Sequence, residues 1–178
     1  LRCESADFVA SMDTDGVAIG GETIGFDMQK TVEVLRWVSE FLPKEKPRYA
    51  MGLGMSPQDL LQVVAEGVDM FDCVAPTRNA RHGALYCGEI VEEGSWLRFA
   101  SEYDNDRIQI KKACFADDLS PIMLSCDCYT CKHYSRSYLH QLFKQKSNVF
   151  TALASIHNIH VLHSVCDKMR DLIIKLSN

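Results

Sequence analysis

The chain has 178 residues, which fits one domain and is long enough for a real core. Its formal net charge is −5, so RNA affinity cannot come from bulk charge and would need a local basic patch. It holds eight cysteines, but with no secretion or lipidation signal and no run of eighteen apolar residues the sequence predicts neither a disulfide-stapled secreted domain nor a membrane span.

The chain begins at Leu1 rather than Met, in what reads as the middle of a helix, which suggests a fragment or a processed product. Gly16-Val17-Ala18-Ile19-Gly20-Gly21 reads as a short apolar strand ending in a glycine pair. Residues 27–42 carry Met28, Val32, Leu35, Val38 and Leu42 at helical spacing, and Pro43 and Pro47 stop that helix. Residues 48–54 read as the next strand. Ser56-Pro57-Gln58-Asp59 has the chemistry of a helix start, with Ser at the cap, Pro in the first turn and an acid three residues on. Gly67 is a natural stop for it. Residues 68–74 form a third strand. Strand, helix, strand, helix, strand with short links predicts parallel βαβ units.

Beyond residue 75 the pattern changes. Residues 84–124 read as hairpins and loops, with alternation at Trp96–Phe99 and Ile108–Ile110, and the acidic stretch 89–106 as a solvated excursion. From Ser135 the chain is helical again. Tyr138, Leu139, Leu142 and Phe143 form one apolar stripe. Val149, Leu153, Ile156, Ile159, Val161, Leu162, Val165, Met169, Leu172 and Ile173 form another, and both are expected to pack in the core.

Two clusters carry chemistry. Cys126, Cys128 and Cys131 crowd into six residues, and His157 follows after 25 more. Three thiolates and one imidazole complete a tetrahedral set for Zn²⁺ with no open position, which makes the metal structural. His140, His160 and His163 compete with His157 as fourth ligand. Cys3, Cys73, Cys87, Cys114 and Cys166 are scattered and are expected to be unpaired small apolar residues. The second cluster lies where parallel α/β folds gather ligands, at the carboxyl ends of strands. Gly20 and Gly21 let backbone approach a flat ligand, Met51 can cover it with soft apolar surface, and Asp72 ends the third strand. Arg78 and Arg81 follow in a segment expected to be an irregular loop. Together they suggest a carboxylate nucleophile acting on an RNA.

Phe71-Asp72-Cys73-Val74, Pro76-Thr77-Arg78, Arg81 and the Cys-x-Cys-x2-Cys-x25-His array resemble the queuine tRNA-ribosyltransferases, or tRNA-guanine transglycosylases. Ala18-Ile19-Gly20-Gly21, Tyr49-Ala50-Met51-Gly52 and Ser135-Arg136-Ser137-Tyr138-Leu139-His140 match as well. The resemblance covers nearly the whole chain. It implies an α/β fold, the C-terminal portion of a (β/α)8 TIM barrel with an inserted zinc-binding subdomain. Residues 1–83 would carry the last βα units and the nucleophile. Residues 84–178 would carry the hairpins, the zinc-binding subdomain and the closing helices. It implies exchange of the wobble guanine of GUN-anticodon tRNAs for a 7-deazaguanine.

Carried over by resemblance, Asp72 is the nucleophile, Gly20, Gly21 and Met51 bind the base, Arg78 and Arg81 grip the anticodon loop, and Cys126, Cys128, Cys131 and His157 hold structural zinc. The implied partners are the tRNA anticodon loop and 7-aminomethyl-7-deazaguanine or queuine, in a cytoplasmic enzyme that is a homodimer when complete. The family's second catalytic aspartate falls outside this chain, so the chain alone is expected to be inactive. Where the family ends its base loop in Gly-Glu, this chain reads Gly25-Phe26-Asp27, and Ile24 is bulky there, which favours the smaller 7-aminomethyl base. Residues 88–112 are longer than the family leads one to expect. The alternative function is a noncatalytic zinc-stabilised RNA-binding subunit.

Overall fold

The computed structural model describes all residues except 22, 23, 26 and 178. Phe26, one of the departures from the family pattern, therefore lies outside the described residues. Contacts divide the chain into two compact units, Leu1–Met55 with Asp59–Cys73, and Ser56–Gln58 with Val74–Asn178.

The first unit opens with α1 (Arg2–Ala10) and then alternates β1 (Val17–Ile19), α2 (Met28–Ser39), β2 (Arg48–Met51), α3 (Pro57–Ala65) and β3 (Met70–Asp72). The three strands form one parallel sheet in the order β1-β2-β3. Helix α2 starts where Asp27 accepts a hydrogen bond from the Lys30 amide at 3.1 Å. Its residues Thr31, Val34, Leu35 and Val38 recur at helical spacing and are buried. Val34, Leu35 and Val38 meet Val17, Ile19 and Ala50 from the sheet in a single apolar cluster. Helix α3 ends in a Schellman turn: the Gly67 amide donates to Val64 O and the Val68 amide to Val63 O. Gly67 sits there at φ 88°, a left-handed conformation that costs glycine nothing. Strand alternation puts Ala18, Tyr49, Met51, Met70 and Asp72 on the opposite face from that cluster, and all are exposed or half-buried.

The second unit begins with α4 (Ala75–Arg81), where the sequence suggested an irregular loop. Pro76 sits in its first turn, the one place in a helix that needs no amide proton from it. β4 (Ala84–Tyr86) pairs antiparallel with β7 (Arg107–Gln109). Between them, β5 (Glu89–Glu93) and β6 (Trp96–Ala100) make a separate hairpin closed by Gly94 and Ser95. The acidic excursion of the sequence is thus an ordered ribbon whose Phe99 and Leu97 are buried and whose Glu92 and Glu93 are exposed. Three helices follow, α5 (Tyr129–His133), α6 (Arg136–Lys144) and α7 (Asn148–Ser177).

The core of this unit joins Leu85, Ile108, Ile110 and Ile122 to Leu139 of α6 and Phe150, Leu153 and Ala154 of α7. Helix α7 is, among the described residues, the one helix long and apolar enough by composition to cross a membrane. It buries His157 and Asn158 as well as Leu153, Val161, Val165 and Met169, as a core helix does. Not all of its apolar stripe packs inward: Val149, Ile156, Ile159 and Ile173 are exposed. On a helix with apolar residues on several sides, spacing alone does not tell which side is covered. All eight cysteines are free thiols; Cys87 is buried, whereas Cys114 is exposed and does not behave as a core residue.

Candidate functional site

Four ligand atoms converge in the second unit. Cys126 and Cys128 stand in the turn that leads into α5, Cys131 lies within α5, and His157 reaches them from the middle of α7. Cys128 is the N-cap residue of α5, and its sulfur accepts the Cys131 amide at 3.3 Å. The cap therefore fixes two ligands at once. The four ligand atoms all lie within 4.8 Å of one another. His157 Nδ1 stands 3.7 Å from Cys126 Sγ, 3.6 Å from Cys128 Sγ and 3.4 Å from Cys131 Sγ. A tetrahedral zinc with metal–sulfur bonds of about 2.3 Å and a metal–nitrogen bond of about 2.05 Å requires sulfur–nitrogen edges of about 3.6 Å. The cluster fits that ion.

The imidazole is oriented for it. Nε2 lies 2.8 Å from the Tyr86 carbonyl oxygen, so that nitrogen carries the proton and donates, which leaves the Nδ1 lone pair facing the thiols. Left to themselves, the thiols compete for one negative charge. Hydrogen bonds from Cys126 and Cys131 draw Cys128 well below the usual thiol range, while the bond to Cys128 pushes Cys126 up to about 11. Cys131 is also pushed up, first by its bond with Cys126. A dication at the centre ends this competition, because coordinating thiols lose their protons outright. The competing histidines are engaged elsewhere: His140 Nδ1 is 2.7 Å from Ile110 O, His160 pairs with Asp127 at 2.8 Å, and His163 is exposed.

The second candidate site is the carboxyl edge of the parallel sheet. Register places Met51 of β2 directly beside Asp72 of β3. Gly20 follows β1, and a Cβ there would stand 3.3 Å from Met51 Cε. Gly21 adopts φ 138°, and a side chain on it would meet the Arg2 guanidinium, whose Nη1 donates to Gly20 O at 2.7 Å. The Asp72 carboxylate is exposed and unevenly held. The Tyr49 hydroxyl donates to Oδ1 at 2.5 Å and the Gly52 amide to the same oxygen at 3.4 Å. Oδ2 takes no hydrogen bond from a described residue and is left open to a ligand. Asp72 in turn raises the Tyr49 hydroxyl above the usual tyrosine range, because ionising the phenol would forfeit that bond.

Tyr49 is a site residue that the reading of the sequence did not single out. The signal was present: Tyr49 and Met51 are two apart on one strand and so share the face on which Asp72 lies. Asn158, next to the ligand His157, was also passed over. Its side chain donates to Pro76 O and Ala84 O and accepts from the Tyr86 amide, all at 3.0 Å. It ties α7 to α4 and β4 beside the metal cluster. Arg78 and Arg81 are exposed on α4 and make no ion pair with a described residue.

The family model described as queuine tRNA-ribosyltransferase matches residues 1–176. Proteins named queuine tRNA-ribosyltransferase are similar to the chain. That of Caldanaerobacter subterraneus subsp. tengcongensis is 40% identical over 173 residues, 97% of this chain and 42% of its own length. Those of Dehalococcoides mccartyi and Herpetosiphon aurantiacus are 43% and 41% identical over 175 residues, 98% of this chain and 40% of theirs. The chain thus spans about two fifths of the length of the curated relatives it matches.

Proposed function

This chain belongs to the queuine tRNA-ribosyltransferase family, and on that premise we propose that it serves tRNA-guanine transglycosylation, with Asp72 as the nucleophile. Oδ2 of Asp72 attacks the ribose C1′ of the wobble guanosine in a GUN anticodon. The bond from C1′ to N9 breaks, its electrons leave with guanine, and the tRNA is held as a glycosyl ester of Asp72. N9 of the incoming 7-deazaguanine then attacks C1′ from the other side and Asp72 departs as a carboxylate. The outgoing base takes up the proton that the incoming base gives up. Two displacements at one carbon give net retention, the logic of retaining glycosidases. The base must leave its stack before either step.

The observation that carries this reading is the asymmetric hold on Asp72. One carboxylate oxygen is fixed by Tyr49 and Gly52 and the other takes no hydrogen bond from a described residue, at the strand edge where Met51 and the Gly20-Gly21 backbone offer a surface for a flat base. The bare sheet face of Ala18, Tyr49, Met51, Met70 and Asp72 supports a place in a (β/α)8 barrel, where such residues fill the interior. The division into residues 1–83, carrying the last βα units, and residues 84–178, carrying the zinc-binding subdomain and closing helices, is proposed on the same footing. Cys126, Cys128, Cys131 and His157 would hold Zn²⁺, which has no open position for substrate and contributes fold stability. Arg78 and Arg81 would contact the anticodon loop. A second carboxylate, expected outside these 178 residues, would manage the proton, so the chain by itself would be inactive. The complete enzyme would be a cytoplasmic homodimer; Ile24 is buried in the apolar core of the first unit, so it gives no ground for preferring 7-aminomethyl-7-deazaguanine over queuine.

The test is Asp72→Asn in the full-length protein. The amide cannot form the ester, so exchange is abolished while tRNA binding stays within a few-fold. A variant that still forms a denaturant-stable tRNA adduct assigns the nucleophile elsewhere.

A further inference from the structure

A cavity of about 450 Å³ opens in the second unit and is lined by Arg81, Phe143, Lys144, Lys146, Ser147, Asn148, Phe150 and Thr151. It joins the end of α4, the end of α6 and the start of α7. Three of its side chains are cationic, three are neutral hydrogen-bond donors, and none of the described lining residues is acidic. Arg81, Lys144 and Lys146 make no ion pair with a described residue. Three unpaired cations around one concavity, in a chain of net charge −5, form a local field that bulk composition conceals.

Lys146 is held there against local preference. Helix α6 ends in the same Schellman turn as α3: the Lys146 amide donates to Phe143 O and the Ser147 amide to Leu142 O, both at 3.0 Å. In α3 the left-handed position is Gly67; in α6 it is Lys146, at φ 54°. A Cβ at that φ is strained, and glycine is the residue that relieves it. The turn directly precedes α7, whose first amides add a partial positive charge to the same rim.

We infer that this cavity binds a backbone phosphate of the RNA substrate, with Lys144 and Lys146 as phosphate contacts and Arg81 shared between the cavity and the anticodon-loop contact already proposed. The inference rests on the transglycosylase reading for the identity of the RNA. Phosphate contacts of this kind set register and affinity without reading sequence. They also make binding salt-dependent, because each neutralised phosphate releases counterions.

The test is the double variant Lys144→Ala with Lys146→Gly in the full-length protein, titrated with substrate tRNA at several salt concentrations, beside a melting curve. Lys146→Gly relieves the left-handed strain, so the variant folds as stably as the parent. The expected result is affinity weaker by about tenfold at moderate salt, with the slope of log K against log salt reduced by about 1.5 for two lost cations. A variant with the parent's affinity and slope overturns the inference and leaves the transglycosylase reading standing. A parent protein that fails to bind tRNA sinks that reading, and this inference with it. A parallel titration with inorganic phosphate separates the sources: phosphate binding lost in the variant while tRNA binding is unchanged makes this a free-anion site and also overturns the RNA assignment.

Discussion

The Tyr49 hydroxyl and the Asp72 carboxylate share one hydrogen bond of 2.5 Å across two neighbouring parallel strands. The bond occupies Oδ1, and Oδ2 takes no hydrogen bond from a described residue. Tyr49 touches no reacting atom in the proposed chemistry; it acts through Asp72, as a positioning residue.

Replacing Tyr49 with Phe keeps the ring and removes the donor. Exchange by the full-length enzyme is expected to fall about tenfold in kcat with little change in KM, since the loss concerns the alignment of the attacking oxygen rather than substrate binding. Asp72 raises its hydroxyl, as burial raises that of Tyr103 and the bond with Tyr129 raises that of Tyr134, so Tyr49 is one of several tyrosines that ionise late in an alkaline absorbance titration, and Asp72→Asn moves one of these late steps back toward the ordinary range. Equal losses in kcat and in melting temperature would mean that Tyr49 merely supports the strands.

The zinc prediction concerns the fold. One tightly bound Zn²⁺ per chain is expected, lost in Cys128→Ala, which removes a ligand and the α5 cap together. Cys128, Cys131, Leu153 and Ala154 belong to the same apolar core, so chelation is expected to unfold residues 126–160. Metal analysis that finds no zinc in protein purified without chelator would count against the site, and so would a far-ultraviolet spectrum that chelator leaves unchanged.

Asn158 should be among the most sensitive positions in the second unit. It is fully buried and its three hydrogen bonds satisfy three backbone groups on two other elements. Asn158→Ala takes one partner from each of those buried groups, at a cost of about 3 kcal/mol. Asn158→Asp keeps the shape but loses both donated bonds, and is expected to be no better. A shift in denaturant midpoint worth under about 1 kcal/mol would show that water takes over the bonds.

Strands β1, β2 and β3 were legible in the sequence because each is a short apolar run bounded by turn residues, and α2 and α3 because their spacing and caps agree. The three thiols of the candidate metal cluster were legible because three cysteines within six residues have no packing explanation, whereas spacing left His157 in competition with His140, His160 and His163. Helix α4 was not, since Ala-Pro-Thr-Arg-Asn-Ala-Arg is short and has no apolar stripe. Its helicity comes from tertiary burial of Ala75, Pro76, Asn79 and Ala80, which no local pattern announces. The Asn158 clamp was invisible for a related reason: its partners are backbone groups more than seventy residues away. Residues 88–112 stood out only as longer than the family leads one to expect, within a stretch read as hairpins and loops, and the β5–β6 hairpin lies there.

Helix α4 changes what the two arginines can do. Arg78 and Arg81 are three apart on a regular helix and so are neighbours on one face, able to meet one stretch of RNA. An ion pair that merely pins the segment is not what the described residues show. Replacing both with Ala should weaken tRNA binding by the full-length protein by about tenfold at moderate salt and reduce the salt slope by about 1.5. Both side chains are exposed and alanine favours the helix, so the melting curve should move by no more than about 0.5 kcal/mol. A double variant that loses stability but keeps its salt slope would return the arginines to a structural role. One that keeps both would remove α4 from the RNA contact altogether.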